Sequence, residues 1–108
     1  MEKKYIMTDE TKTIKNGVVL HRIKAVEDFG IVKKGDLGGW IEKEWNLSQI
    51  GNCWVFDNAW VYGNSRISDN ARVIGDVRVF GNARICDESC ISDDARVFQH
   101  ATIFGRAW

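Results

Sequence analysis

The chain has 108 residues, with fifteen Lys plus Arg balanced by fifteen Asp plus Glu; this is one domain's worth of sequence and excludes a multidomain machine. With 44% hydrophobic and 28% charged residues, and no apolar run near the roughly 18 residues of a membrane span, it reads as a folded chain, neither membrane-spanning nor disordered. A formal net charge of zero gives no global pull toward phosphate backbones or anionic lipid, so neither nucleic acid nor membrane is an expected partner.

The first half stands apart in composition. Residues 1–50 hold all eight lysines and one arginine, whereas residues 51–108 hold six arginines and no lysine, which marks a boundary between a 1–50 element and a 51–108 element. The opening MEKKYIMTDE places charge where a secretory signal needs an apolar stretch, so a cytoplasmic location is expected. Alternation over Lys4 to Met7 and Gly17 to Val26, joined through Asn16-Gly17, predicts a short antiparallel hairpin. The glycine-punctuated run from Asp28 to Glu42, ending in Trp40-Ile41, completes what reads as a β cap over the first coil of the second half. An uncovered parallel edge would invite association. Asn46-Leu47-Ser48 fits the glycosylation sequon, without consequence in a protein that is not exported.

From residue 53 onward the chain is a repeat. Val55, Val61, Ile67, Val73, Val79, Ile85, Ile91, Val97 and Ile103 recur every six residues, and two positions before each stands a small or compact residue, from Cys53 and Ala59 through Val77 to Ala101. Two and three positions after each come turn formers such as Gly63-Asn64, Asp69-Asn70 and Gly81-Asn82. With no proline and ten glycines, these corners are expected to place Gly, Asn and Asp in left-handed backbone angles. A six-residue period does not match a helix. Strands alternate sides, so the aliphatic and small columns face one way and the residues flanking the aliphatic face the other. Short strands with corners at this spacing predict an all-β solenoid with a continuous interior.

On these residues the sequence resembles the hexapeptide-repeat proteins, which form left-handed parallel β-helices with three hexapeptides per triangular coil. The resemblance implies a three-sided parallel β-helix, left-handed, of about three coils beyond the N-terminal β cap. The DFG, KGDLGGWIE and NLSQIGN runs between Leu20 and Val55 look like the leader of small hexapeptide-repeat proteins of bacteria and their phages. That likeness suggests a phage accessory or host-defence-antagonist role.

The same fold hosts acyltransferases and a class of carbonic anhydrases, but a zinc site of the latter kind needs three histidines, and only His21 and His100 are present. No metal site and no cofactor is expected. Cys53, Cys86 and Cys90 are odd in number and contain no CxxC, so free thiols are expected, Cys53 as packing and the other two on the surface. His100 falls at a corner, where a solvated side chain is the plainer reading, and no extra loop interrupts the repeats. The chain therefore reads as non-catalytic, with an acyltransferase-like enzyme using His100 between subunits as the alternative.

If residues 18 apart stack, one outward face collects Trp60, Tyr62, Arg78, Phe80, Arg96 and Phe98, an aromatic column beside an arginine column. Such a contiguous patch is typical of interfaces and predicts a protein partner. A small-anion site beside Arg78 and Arg96 at a subunit junction is a further alternative. Trp54, Phe56, Arg72 and Ile74 stack on another face, near the cap. Arg66 and Arg84 are expected to pair with the carboxylates of Asp69, Asp87 and Glu88. At the C-terminal end Ile103, Phe104 and Trp108 mark the expected oligomer interface, a homodimer by preference.

Overall fold

The computed structural model describes residues 3–105. Strand β1 (Tyr5–Thr13) and strand β2 (Val19–Ala25) form an antiparallel hairpin. The turn places Asn16 and Gly17 at φ of 64° and 75°, the left-handed angles for which Asn-Gly is suited. Strand β3 (Leu37–Ile41) is the junction, antiparallel to β2 on one edge and parallel to Trp60–Val61 on the other.

Nine two-residue strands follow: β4 (Trp54–Val55), β5 (Trp60–Val61), β6 (Arg66–Ile67), β7 (Arg72–Val73), β8 (Arg78–Val79), β9 (Arg84–Ile85), β10 (Cys90–Ile91), β11 (Arg96–Val97) and β12 (Thr102–Ile103). They sort into three sheets, in the orders β1-β2-β3-β5-β8-β11, β4-β7-β10 and β6-β9-β12. Each residue pairs in parallel register with the one 18 positions on, as in Trp60 with Arg78 and Arg66 with Arg84. The fold is thus an all-β parallel solenoid with no α-helix among the described residues.

It makes about four turns, against three from the hexapeptide count, because β3 and Leu47 add two irregular sides ahead of the period and complete a first turn with β4. There β3 pairs with β5, Leu47 bridges to Ile67, and β4 pairs with β7. Asn46 takes the place of a regular corner. Its side-chain carbonyl accepts the Glu42 and Lys43 amides, and its NH2 donates to the carbonyls of Gly63 and Ser65. All its hydrogen-bonding capacity is used while it is fully buried, the condition for placing an amide in a core.

The corners explain the period. A left-handed residue recurs every six positions at Gly51, Asp57, Gly63, Asp69, Gly75, Gly81, Asp87, Asp93, Gln99 and Gly105. Asparagine, expected to share this role, stands instead one position later in the regular corners, and Gln99 takes a left-handed angle in its place. Inside, the Val/Ile column from Val55 to Val97 is buried, each full burial contributing about 1.5–3 kcal/mol. Ser65 and Ser89 occupy small inward slots and donate their hydroxyls to the carbonyls of Tyr62 and Cys86.

The N-terminal element packs on one outward side. Trp54, outward by the pleat, is only 1% exposed because Tyr5 and Phe29 meet its ring edge-on at 6.0 and 5.2 Å. Lys4 is buried next to it and donates to the carbonyls of Gly51 and Cys53. Burial pushes its pKa down, the ordinary effect of desolvating a cation. Gly38 and Gly39 allow β3 to seat this closely. A Cβ at Gly39 would stand 2.6 Å from the Ala59 carbonyl oxygen and from Val55 Cγ1.

Candidate functional site

Two outward arrangements bring chemistry-bearing side chains together, and both follow from the 18-residue register. The first lies on the sheet that contains β5, β8 and β11. Tyr62, Phe80 and Phe98 form a continuous stack, centroids 5.4 Å apart at each step and ring planes nearly parallel. Beside them run Trp60, Arg78 and Arg96, with the Arg78 guanidinium 3.8 Å from the Trp60 ring centroid. All six residues predicted for a binding face therefore share one side of the solenoid, and Phe98 at its end is 46% exposed. Burial raises the Tyr62 pKa, while Arg78 and Arg96 oppose that shift.

The register does not disclose the contribution of the hairpin. Lys12, from β1, reaches over both Trp40 and Trp60, with Nζ at 4.5 and 5.5 Å from their centroids, and Arg22 covers Trp40 at 4.7 Å. Cations and indoles thus alternate across the edge of the face, a cation–π arrangement that stiffens it.

The second arrangement lies at the corner leading into β6, β9 and β12. Asn64, Asn82 and His100 stand 18 residues apart, as do Arg66, Arg84 and Thr102, and with Trp45 they line a recess of about 560 Å³. Among the described residues, Arg66 and Arg84 do not form the expected ion pairs with corner carboxylates. Among the described residues the ion pairs are Lys3–Glu44 and Arg22–Glu10. The reason is local: Asp69 and Asp87 each turn a carboxylate oxygen to a backbone amide one turn on, those of Asp87 and Gly105, at 3.0 Å. Two guanidinium groups are left facing the recess with an imidazole at its far end. That set can hold an anion and accept a proton.

The same aspartates bear on metal binding. Ligand atoms of Asp69, Cys86 and Asp87 lie within 4.8 Å of one another, and one oxygen of each carboxylate also accepts a backbone amide. Burial, and then the carboxylates of Asp87 and Asp69, push the Cys86 thiol up from its ordinary value. The three cysteines are free thiols, with Cys53 buried. Of the residues predicted for an oligomer interface, Ile103 is half-buried, Phe104 is 65% exposed, and Trp108 lies outside the described residues. No helix is long and apolar enough to cross a membrane among the described residues.

The YdcK β-solenoid repeat family matches residues 65–79, and the hexapeptide-repeat reading of the sequence holds. The "Uncharacterized acetyltransferase YdcK" of Escherichia coli (strain K12) is 39% identical over 62 residues, covering 51% of this chain. The chain spans only 19% of that relative's length. This likeness corrects the expectation of a non-catalytic module: the relative is named as an uncharacterized acetyltransferase, which points toward an acyltransferase-like enzyme. His100 is the exposed corner residue that the sequence predicts, and at that corner it lines the recess with Arg66 and Arg84.

Proposed function

We propose that the chain is the solenoid part of an acyltransferase-like enzyme and that acyl transfer takes place in the recess beside His100. The observation that carries the reading is the convergence of His100, Arg66 and Arg84 in one recess, taken with the acetyltransferase likeness. In this reading Arg66 and Arg84 hold the phosphates of an acyl-coenzyme A donor, since guanidinium forks match phosphate oxygens. The His100 imidazole takes the proton of an acceptor hydroxyl or amine as that group attacks the thioester carbonyl. The Asn82 amide donates to the oxyanion that forms there. The carbon–sulfur bond then breaks, the acyl group stays on the acceptor, and the coenzyme thiolate leaves as the thiol with the proton His100 had taken. His100 is exposed on a single chain. A second copy seated against Ile103 and Phe104 would close the recess and exclude water, which makes a homodimer the expected working form.

The test is release of coenzyme A thiol from acetyl-coenzyme A across a panel of hydroxyl and amine acceptors. His100→Ala is expected to lower kcat by about 10²–10⁴-fold, the ordinary weight of a general base. Arg84→Ala is expected to raise KM for the donor with a smaller effect on kcat. Full activity in His100→Ala contradicts the assignment.

A further inference from the structure

On the aromatic side of the solenoid, away from His100, the hairpin and the sheet enclose a second recess of about 490 Å³, lined by Lys12, Thr13, Ile14, Lys15, Trp60, Tyr62, Arg78 and Arg96. Its charge is one-sided: four cations and no carboxylate. None of the four forms an ion pair with another described residue, since the ion pairs there involve Lys3 and Arg22. Nor is their proximity incidental, because Lys12 and Arg78 both lie over the Trp60 ring. Arg78 is further anchored by Nη1 to the carbonyls of Asn58, Asp76 and Val77 at 3.0–3.3 Å. Lys15 and Arg96, by contrast, are exposed and free to turn toward a ligand. Like charges gathered in this way repel, and an anion bound among them relieves the repulsion.

We propose that this recess is a second ligand site, one that takes a nucleoside diphosphate. Four cations suit two adjacent phosphates better than a single carboxylate or one phosphate. The Tyr62 ring and the Ile14 side chain provide an apolar wall for a planar base, while the Trp60 ring holds Lys12 and Arg78 in place beside it, the mixture of apolar lining and few charges typical of small-molecule sites. Size agrees, because 490 Å³ falls within the roughly 300–1,000 Å³ of such pockets. The proposal does not depend on acyl transfer, since no residue of this recess lines the one containing His100.

Isothermal titration of the protein with ADP tests it. Binding is expected in the wild type. The Lys15→Ala/Arg96→Ala variant, which alters two exposed side chains outside the core, is expected to bind at least about tenfold more weakly, as loss of charge-assisted contacts implies. Arg66→Ala and His100→Ala are expected to bind ADP as the wild type does. No binding by the wild type, equal binding by the double variant, or a loss confined to Arg66→Ala overturns the proposal. A Trp60→Phe variant adds a second readout: the quench of tryptophan fluorescence by ADP is expected to shrink, and an unchanged quench also overturns it.

Discussion

Trp54 and Trp60 occupy equivalent outward positions on consecutive sides of the solenoid, yet their surroundings differ. Trp54 is sealed by Tyr5 and Phe29, with Lys4 held beneath by backbone carbonyls. Trp60 stays partly open and is bordered by the charged ends of Lys12 and Arg78. The N-terminal element thus does two jobs. On one side it supplies long-range apolar packing that secures the first, irregular turn; on the other its hairpin edge completes a charged recess. The regular turns behave differently, holding together through a repeated ladder and a column of aliphatic side chains and leaving their outward residues for recognition.

The sharpest way to break the comparison is truncation of both indoles. Trp54→Ala is expected to cost about 3–5 kcal/mol, the range for removing a buried tryptophan, while Trp60→Ala is expected to cost about 1 kcal/mol, mostly lost cation–π contact. Urea unfolding of the two variants reads the difference, and equal losses would erase it. Asn46→Ala comes next. It strands the Lys43 amide and the Ser65 carbonyl, whereas the Glu42 amide keeps the Val61 carbonyl and the Gly63 carbonyl keeps Trp45 Nε1, and a loss of about 1–3 kcal/mol is expected for buried groups left unpaired.

Tyr5 gives a pH signature to the N-terminal side. Burial, then the Glu44 carboxylate, pushes its hydroxyl well above the free value of 10.0, so the folded chain resists ionisation there. Its contribution to stability is complete below pH 10.0 and is lost as pH rises from there toward the native pKa. Cys53, raised above 9.0 chiefly by burial, adds a loss of the same sign beginning near pH 9.0. Lys4 is lowered from 10.5 by burial and acts oppositely, its contribution growing as pH rises toward 10.5. In Tyr5→Phe the alkaline loss is expected to shrink, as urea midpoints measured on either side of pH 10.0 would show; an unchanged loss would move its origin elsewhere. Smallest is the corner effect. Gln99 holds φ at 59° where the other corners use glycine or aspartate, so Gln99→Gly is expected to stabilise the last turn by about 0.5–1 kcal/mol. The opposite change, Gly81→Ala, places a Cβ 2.7 Å from the Gln99 amide nitrogen and is expected to destabilise it. Thermal unfolding distinguishes the two signs.

Legibility in the sequence follows the same divide. In the regular turns each side chain's face and neighbour are arithmetic: the pleat sets in or out, and an 18-residue step stacks Trp60 with Arg78 and Arg66 with Arg84. The aromatic column and the Val/Ile interior could be read for that reason. The first turn could not, because Asn46, Gly38 and Gly39 replace the repeat with contacts that only the folded chain brings together. Lys12 and Lys15 were missed for a related reason, since a hairpin that leans over a sheet leaves no period to detect. A weak signal for them existed in the concentration of lysine in residues 1–50. The corner holding His100 was visible, but its meaning depended on Asp69 and Asp87 turning to the backbone and leaving Arg66 and Arg84 unpaired.

Acetyl-coenzyme A titrated into isotopically labelled protein, with backbone and imidazole resonances followed by NMR, tests most directly whether the regular turns build the acyl-transfer site. The account predicts shifts that centre on Asn64, Arg66, Asn82, Arg84 and the His100 ring. A saturating donor that leaves those resonances unmoved would contradict it.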